Sequence, residues 1–377
     1  MTPMDLLALA RAFATDGVPQ AVEPLGHGNV NATYVVRTDS GRRYVLQQLN
    51  TTVFTRPELV MANLEALATH ATAAIRDDAV WQLPLPIPLR SPCHGNDRSG
   101  AWLRTEVQGF WRMLTFVEGA HSLDVLQQDN EAFEVGRALG CFHALIHDLP
   151  TECLTDTLEG FHVTPGYHRR YLAVIAAAAA GCSPAAERQV DPRVQWCARF
   201  VSSRDALVPV LEQAKEAGRL QLRPIHGDPK VNNVMLCSRT GSAVAMVDLD
   251  TVKPGLLHYD IGDALRSGCN RAGEETTDLD AVRFDLDLAA AMLRGYLLEA
   301  GAVLSDHDVE HLYDAIRLLP FELGLRFFTD DLEGDVYFKV SRPRHNLERA
   351  MVQFRLTESI EAQEAEIRAL IHELCGR

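Results

Sequence analysis

Short β-like runs of apolar and polar residues occupy the part of the chain before residue 118, and they predict strands. Turns rich in glycine and asparagine, and one proline-rich extended stretch, separate these runs. The predicted strands are residues 21–25, 33–37, 43–48, 101–107 and 111–117. Apolar residues three and four positions apart predict a short opening helix and a second helix at 57–74. We therefore expect a small antiparallel sheet that carries one helix.

Helical periodicity dominates the remainder of the chain. The predicted helices are residues 123–146, 167–180, 194–217, 279–300, 306–329 and 347–374. A β-like segment at 223–250 stands between them. Because 377 residues exceed what one hydrophobic core comfortably fills, we expect an α+β protein with two domains, 1–118 and 119–377.

Charge and composition narrow the class of protein. With 36 basic and 51 acidic residues, the net charge of -15 leaves no broad basic surface, so we expect no nucleic-acid partner. The acidity could attract a cationic substrate, but it serves solubility equally well. The longest apolar run, near 173–181, is about half the length of a membrane span, and the first residues do not read as a secretory signal. We expect a cytoplasmic protein that does not bind membranes.

The candidate chemistry lies in the segment 225–263, which reads IHGDPKVNNVMLCSRTGSAVAMVDLDTVKPGLLHYDIGD. Asp228 and Asn233 are five positions apart, and Asp248 follows a predicted tight hairpin. Phosphoryl transfer needs a carboxylate that orients the attacking hydroxyl and a cation that neutralises the phosphate oxygens. Asp228 can supply the first, and the side-chain oxygens of Asn233 and Asp248 suit a hard cation. The spacing therefore favours phosphoryl transfer.

Two other interpretations of short motifs are weaker. Aspartate and asparagine also favour turns, so any one of these three residues alone would fit an ordinary hairpin. The stretch from His307 to His311 matches the H-x-x-E-H pattern of a zinc peptidase, but the sequence offers no evident third ligand. The eight cysteines form no C-x-x-C pair, which argues against a zinc ribbon.

These motifs resemble those of the aminoglycoside phosphotransferase and choline kinase superfamily, which has a two-lobed protein-kinase-like fold. HGDPKVNN and VDLD are similar to its catalytic and metal loops, and the likeness extends to GHGNVNATYVV, RRYVLQQLNTTVF and ELGLRFFTDDLEGDVYF. DLDTVKPGLLHYDIGDALRS resembles the N-acetylhexosamine 1-kinase branch. The resemblance implies a nucleotide-binding N-terminal lobe with a small antiparallel sheet, and a mostly helical C-terminal lobe with the catalytic loop, metal site and acceptor pocket.

The resemblance also assigns roles to residues of the catalytic and metal loops. It implies that Asp228 is the catalytic base and that Asn233 and Asp248 bind Mg²⁺. Lys230 would steady the γ-phosphate of ATP, although a solvated loop lysine fits its position equally well. Asp260 would brace the catalytic loop through backbone amides.

On the same basis, His226 is a structural support of the catalytic loop. The nucleotide would contact the small-lobe turn and the strand end before the helical lobe. The residues implied there are Gly26, Gly28, Asn31, Thr115, Phe116 and Val117.

For the acceptor, the resemblance points to Asn29, Arg326 and Tyr337. Asn29 stands where the family often has a histidine, so contacts to an acyl group would differ. From the residues alone, Arg326 could equally form an ordinary ion pair with Glu322, and Tyr337 could be a core aromatic.

The chain departs from protein kinases at the third strand, which has Gln47 and Gln48 where a lysine would contact the phosphates. Glu65 on the following helix then lacks its usual partner, and Arg43 is one candidate. The implied function is transfer of the γ-phosphate of ATP to the anomeric hydroxyl of an N-acetylhexosamine, a neutral amino sugar. Other acceptors (choline, ethanolamine, homoserine, an aminoglycoside, another sugar) and a catalytically silent nucleotide-binding protein stay open, as does the oligomeric state.

Overall fold

The N-terminal part of the protein is built on a five-stranded antiparallel sheet. The computed structural model describes residues 3–26, 30–74, 81–90, 100–105, 109–179, 188 and 190–376. The strands are β1 (Pro19–Pro24), β2 (Ala32–Thr38), β3 (Arg43–Leu49), β4 (Trp102–Thr105) and β5 (Gly109–Thr115). Their order across the sheet is β1-β2-β3-β5-β4, so the third and fifth strands are neighbours.

Both faces of this sheet are covered by other parts of the protein. Successive side chains of a strand point to opposite faces, so each face contributes its own set of residues. This part of the chain also contains two helices, α1 (Pro3–Ala10) before the first strand and α2 (Pro57–Ala74) between β3 and β4. One face packs against the N-terminal segment. The segment contributes Leu6, Leu9 and Phe13, and the strands contribute Val36, Tyr44, Leu46, Trp111 and Met113. The second face joins the main core, which includes Leu49, Phe110 and Leu114 together with Val60, Met61, Leu64 and Leu67. By alternation, Gln47 and Arg112 also lie on this second face.

Helices dominate the C-terminal part. They are α3 (Asp129–Ile146), α4 (Thr164–Ala179), α5 (Pro192–Ser202), α6 (Val210–Glu216), α7 (Leu257–Gly268), α8 (Leu286–Ala300), α9 (Asp306–Glu310), α10 (Leu312–Glu333), α11 (His345–Ala362) and α12 (Glu364–Cys375). None of these described helices combines the length and apolar character needed to cross a bilayer. The six cysteines in the described ranges are free thiols.

Glycines set the distance between α3 and α8. A Cβ atom on Gly136 would lie 1.9 Å from the carbonyl oxygen of Met292, and one on Gly295 would lie 2.0 Å from that of Phe133. Atoms cannot approach so closely, so only glycine allows these two backbones to touch. This contact fixes the position of α3, which lies behind the catalytic loop.

The predicted elements correspond to the structure apart from their ends, the helix α7, which periodicity did not predict, and three long helices that break. α2 has the predicted bounds, but residues 194–217, 306–329 and 347–374 are each divided between two helices. The first break spans residues 203–209 and ends at Pro209, and the others lie at His311 and Gln363; the ψ angles of these three residues are 2°, 4° and 21°. Such angles belong to the bridge region and not to the α-helix. The apolar spacing continues across each break, which is why periodicity did not reveal them.

Candidate active site

The predicted hairpin brings the metal-loop residues together. Strand β8 (Val234–Cys237) pairs with β9 (Ala243–Met246) on one side and with β6 (Ala120–His121) on the other, while β7 (Arg223–Ile225) pairs with β10 (Lys253–Gly255). The backbone N–H of Val247 donates to the carbonyl oxygen of Asn233 over 2.9 Å. Asp248 is the next residue, so it directly follows the last ladder bond and lies beside Asn233.

Asp228 is held by its two predicted neighbours. Lys230 Nζ lies 2.6 Å from Asp228 Oδ2, and Asn233 Nδ2 donates to the backbone oxygen of Asp228 over 2.7 Å and to Oδ2 over 3.3 Å. Burial alone would raise the pKa of Asp228, but the Lys230 ammonium lowers it below its usual value. Lys230 is thus not a freely solvated lysine. Asp228 is ionised at neutral pH, and 26% of its side chain is exposed.

The metal-loop oxygens suit a divalent cation. Asn233 uses its side-chain nitrogen towards Asp228, and its side-chain oxygen has no donor in the described part of the chain. Asp248 is exposed and has a left-handed backbone with a φ of 64°, and its side chain makes no hydrogen bond to a described residue. Desolvation inside the cleft and the neighbouring Asp250 carboxylate raise the pKa of Asp248 to about 6, while Lys230 opposes them.

The site is open and not a cage. Across the described ranges, no group of three or more histidine, cysteine, aspartate or glutamate side chains could hold a metal ion. Mg²⁺ commonly binds through one or two carboxylates, with substrate phosphates and water completing its shell. One carboxylate and one amide oxygen fit that kind of shared site.

Asp260 fixes the catalytic loop from behind. Its carboxylate accepts the backbone N–H of His226 over 2.7 Å and that of Gly227 over 2.9 Å. His143 Nε2, from α3, lies 2.9 Å from the same carboxylate. The ring of His226 reaches the carbonyl oxygen of Val247 over 3.0 Å, which ties the loop to the end of the hairpin. Sequence spacing gave no indication of this bond, because His143 and Asp260 are 117 positions apart.

Gly227 has to be a glycine. Its φ is +86°, and an added Cβ atom would lie 2.4 Å from the carbonyl oxygen of Thr251. Thr251 in turn donates its hydroxyl hydrogen to the carbonyl oxygen of His226 over 2.9 Å. The catalytic loop and the metal loop therefore touch through their backbones at this point.

A second buried histidine supports the loop from the other side. His162 Nε2 lies 2.8 Å from the carbonyl oxygen of Gly227, and Nδ1 lies 3.0 Å from Glu322 Oε1. Both partners can only accept, so both ring nitrogens donate and the imidazole is protonated. Burial works to lower the pKa of His162, but the hydrogen bond and charge of Glu322 outweigh it and raise the pKa. No sequence motif pointed to this residue.

A cavity of about 180 Å³ surrounds Arg326. The guanidinium carbon of Arg326 lies 5.0 Å from the ring centres of Phe161 and Tyr167 and 5.4 Å from that of Phe338. Arg326 donates no hydrogen bond to a described residue. The alternative of an ion pair with Glu322 is wrong, because that carboxylate binds His162 and the hydroxyl of Thr164.

The acidic residues of the cavity have different partners. Asp330 accepts the backbone N–H groups of residues 336–338 and the side-chain amide of Asn346. Glu333 pairs with Arg170 over 2.6 Å. Glu159 also lines the cavity, and its side chain is 85% exposed with Arg56 at 3.7 Å. Tyr337 lines the cavity and is 47% exposed, so it is not a core aromatic. Arg326 is the cation of the lining that has no carboxylate partner among the described residues.

Arg326 lies within electrostatic reach of the catalytic loop. Burial opposes ionisation, but nearby tyrosines, Glu322 and Asp228 raise the pKa of Arg326. Asp228 is not among the residues that line the cavity, so its link to Arg326 is electrostatic. Asn29, the third predicted acceptor residue, lies outside the described residues, as does Gly28.

The predicted nucleotide contacts are only partly available. Gly26 has a φ of +65° at the turn after β1. The side chain of Asn31 is buried and occupied: Nδ2 donates to Asp250 over 2.7 Å, and Oδ1 accepts the backbone N–H of Asn50 over 3.0 Å. Any contact of Asn31 with a nucleotide would have to use its backbone.

Thr115, the first residue of the predicted hinge, also has its polar groups occupied by other residues. The backbone N–H of Thr115 donates to the carbonyl oxygen of Leu85 over 2.9 Å, and its hydroxyl accepts the N–H of Leu85. The Phe116 ring lies 4.1 Å from the Arg43 guanidinium, and Val117 is buried. The pairing of Tyr44 with Thr115 engages the backbone N–H of Phe116 with the carbonyl oxygen of Arg43. Among the described residues, the backbone groups of Val117 make no turn or loop hydrogen bond, so a predicted contact with adenine would fall to them.

The suggested pairing of Arg43 with Glu65 is wrong. Arg43 forms its ion pair with Glu118. Glu65 is partly buried and pairs with no residue that the structure describes, and burial raises its pKa. Gln47 accepts two hydrogen bonds from Arg112, over 3.0 and 2.8 Å.

Known proteins share this architecture. Three solved structures cover almost the whole chain: the microcompartment-associated aminopropanol kinase (16% identity, TM-score 0.62, 97% of this chain and 98% of that chain), choline kinase from Cryptosporidium parvum Iowa II (14%, 0.59, 98% and 98%), and amicoumacin kinase hAmiN in complex with AMP-PNP, Ca²⁺ and Ami (13%, 0.58, 96% and 94%). At these identities the likeness concerns the fold, and it confirms the predicted two-lobed, protein-kinase-like class.

The sequence itself matches a family model over residues 21–303, described as the phosphotransferase enzyme family. The match runs from the first strand of the sheet through the catalytic loop and the helix that braces it. Because it spans well over half of the chain, the protein belongs to the phosphotransferase enzyme family.

Proposed function

We propose that this phosphotransferase is an ATP- and Mg²⁺-dependent kinase that phosphorylates a neutral amino sugar, an N-acetylhexosamine, on its anomeric hydroxyl. The observation that carries the proposal is the ring-flanked guanidinium of Arg326, which lines a cavity and pairs with no carboxylate among the described residues. The presence of AMP-PNP and Ca²⁺ in the amicoumacin kinase structure supports a nucleotide and a divalent cation as the partners of the site.

The acceptor is inferred from the charges around the cavity. A guanidinium donates hydrogen bonds and accepts none, so it suits hydroxyl and acetamido oxygens. Of the acidic groups nearby, Asp330 accepts backbone N–H groups and Glu333 pairs with Arg170, while Glu159, which also lines the cavity, is 85% exposed. A cationic acceptor would therefore be repelled by Arg326 at the ring-lined part of the cavity. The flanking rings of Phe161 and Tyr167 offer apolar surface for the carbon-bound face of a sugar.

In this proposal Asp228 orients the acceptor hydroxyl and accepts its hydrogen. The low pKa of Asp228 makes it a weak base, which suits an anomeric hydroxyl because that group is more acidic than other sugar hydroxyls. Asn233 and Asp248 would hold Mg²⁺, which supplies charge neutralisation at the phosphates when bound. Positioning and electrostatic stabilisation then account for most of the rate enhancement.

Small cationic acceptors are the second candidate. The names of the structural relatives, an aminopropanol kinase and a choline kinase, favour an amino alcohol. The net charge of -15 favours a cation as well. The open arginine argues against both. A silent nucleotide-binding protein is supported only by the missing lysine of β3.

An acceptor screen tests the proposal. ADP release is measured with Mg²⁺ and ATP in the presence of N-acetylglucosamine, N-acetylgalactosamine, choline, homoserine or an aminoglycoside. We expect one of the two N-acetylhexosamines to give the highest rate, and phosphorus NMR of the product to show an anomeric phosphate. If neither N-acetylhexosamine stimulates ADP release, the acceptor proposal fails. Nucleotide binding without turnover on the whole panel would support the silent alternative.

A further inference from the structure

A cation stands opposite the position where β3 lacks its lysine. In the pairing of β3 with β5, Gln47 lies directly opposite Arg112. Residues paired in this way project from the same face of a sheet. Gln47 Oε1 accepts from both Nε and a terminal nitrogen of Arg112, so the glutamine amide holds the arginine in place. The positive charge at this point of the sheet comes from the neighbouring strand.

Arg112 also reaches the C-terminal part of the protein. Its guanidinium forms an ion pair with Asp250, a residue 138 positions further along the chain. Both side chains are 2% exposed. The Asp250 carboxylate has a second partner from the N-terminal part, since Asn31 Nδ2 donates to it over 2.7 Å. Asp250 is therefore clamped by two side chains of the sheet region.

Asp250 lies in the turn that directly follows Asp248, the predicted metal ligand. Asp248 is directly followed by a short 3-10 helix, Leu249–Thr251, with Asp250 at its centre. The same turn is tied to the catalytic loop by Thr251, whose hydroxyl donates to the carbonyl oxygen of His226. The side chain of Asp248 has no hydrogen bond to a described residue. Its position is therefore set by the turn.

We propose that Arg112 is a positioning residue of the nucleotide and metal site, which acts through Asp250 to hold the Asp248 turn against the sheet. With so little of its side chain exposed, Arg112 offers no surface to a ligand and does not replace the missing lysine by direct contact. Arg112 places a positive charge on β5, and its effect reaches Asp248 through the Asp250 carboxylate. The inference rests on phosphoryl transfer at this site but not on the identity of the acceptor.

Four variants test the proposal: Arg112→Met, Arg112→Lys, Asp250→Asn and the double variant Arg112→Met with Asp250→Asn. The control is Arg204→Met, which removes another close arginine–carboxylate pair, with Glu361 at 2.6 Å, far along the chain from the metal loop. Affinity for AMP-PNP is measured by titration calorimetry without any acceptor, once with Mg²⁺ and once with EDTA. Urea unfolding of each nucleotide-free variant is measured in parallel.

We expect Arg112→Met and Asp250→Asn to weaken AMP-PNP binding about 10- to 100-fold with Mg²⁺, the usual effect of removing an outer-shell partner of a metal ligand. The loss with EDTA should be much smaller. The double variant should bind no more weakly than the weaker single variant, because both act on one pathway. Arg204→Met should unfold at lower urea concentration yet bind with wild-type affinity.

The proposal is overturned if Arg112→Met binds AMP-PNP with Mg²⁺ as tightly as the wild type, or if its loss is equal with Mg²⁺ and with EDTA. Should Arg112→Met not fold, Arg112→Lys and Asp250→Asn decide by the same criterion. No acceptor is present in these titrations. A failure of the amino-sugar proposal in the acceptor screen would therefore leave their outcome unchanged.

Discussion

The catalytic loop and the acceptor cavity differ in how their polar groups are satisfied. In the catalytic loop, buried partners hold the backbone: Asp260 takes two N–H groups, and His162 donates to the carbonyl oxygen of Gly227. In the adjoining cavity, Arg326 is held by aromatic rings and keeps its hydrogen-bonding capacity open. Under the proposed function, this difference separates a rigid catalytic loop from a surface that recognises the acceptor, where a hydrogen-bond donor must stay available.

The sharpest test of the catalytic loop is Asp228→Asn. The variant keeps the size of the side chain but loses the charge that orients and accepts the hydroxyl hydrogen. We expect kcat to fall about 10²- to 10⁴-fold, the range for a lost general base. Affinity for AMP-PNP, measured by calorimetry, should change little. A variant with wild-type turnover would remove Asp228 from the reaction.

Asp260→Asn tests whether the loop depends on its buried brace. The amide would present N–H groups where the carboxylate now accepts from the backbone of His226 and Gly227, and His143 would lose its anion. We expect the free energy of unfolding to fall by about 3–5 kcal/mol, as for other buried pairs that lose one partner. Urea unfolding measures this loss, with the exposed helix cap Asp278→Asn as control. Equal stability of the two variants would contradict the brace.

Arg326→Gln tests the recognition side of the comparison. A hydrogen bond to a charged group contributes about 1.5–3 kcal/mol, so we expect KM for the N-acetylhexosamine to rise about 10- to 150-fold. Affinity for AMP-PNP should be unchanged. Arg368→Gln is the control, because Arg368 also packs on a ring, that of Tyr313, at 4.2 Å. If both variants keep the wild-type KM, Arg326 does not bind the acceptor.

The smallest expected effect is that of Glu322→Gln, and it depends on pH. The pKa of Glu322 is lowered from 4.5, because His162 outweighs the effect of burial, so its contribution is present above pH 4.5 and is lost as pH falls through the lowered value. The pKa of His162 is raised from 6.5, so its contribution is complete below pH 6.5 and is lost as pH rises through the raised value.

Both groups are charged between these limits. The difference in unfolding free energy between wild type and Glu322→Gln should therefore be largest between pH 4.5 and 6.5, at about 1–2 kcal/mol. Urea unfolding from pH 4 to pH 9 measures it. A difference that keeps growing towards pH 9 would mean that His162 and Glu322 are not an ion pair.

Sequence spacing predicted the chemistry where it is local. Asp228 and Asn233 share one loop, and the length of the hairpin fixes where Asp248 returns. Spacing was silent about His143 and His162, because their partners Asp260 and Glu322 lie 117 and 160 positions away. Only the packing of helices brings such residues together.

For the same reason, sequence spacing could not reveal Arg112 as the cation opposite Gln47. The chain shows glutamines in β3, but the register that sets Arg112 opposite Gln47 is a property of strand pairing and not of spacing. The fold class followed from the order of strands and helices, and the comparisons confirm it. The domain boundary near residue 118 and the roles assigned to the site residues stay predictions.

The glycine contact between α3 and α8 has a genetic consequence. A Cβ atom on Gly140 would lie 2.6 Å from the carbonyl oxygen of Tyr296, the residue whose hydroxyl meets His143 at 3.0 Å. Even alanine at 140 would wedge the helices apart and pull the imidazole away from Asp260. A random-mutagenesis screen scored only for lost phosphorylation should therefore recover position 140, although nothing there can reach a substrate.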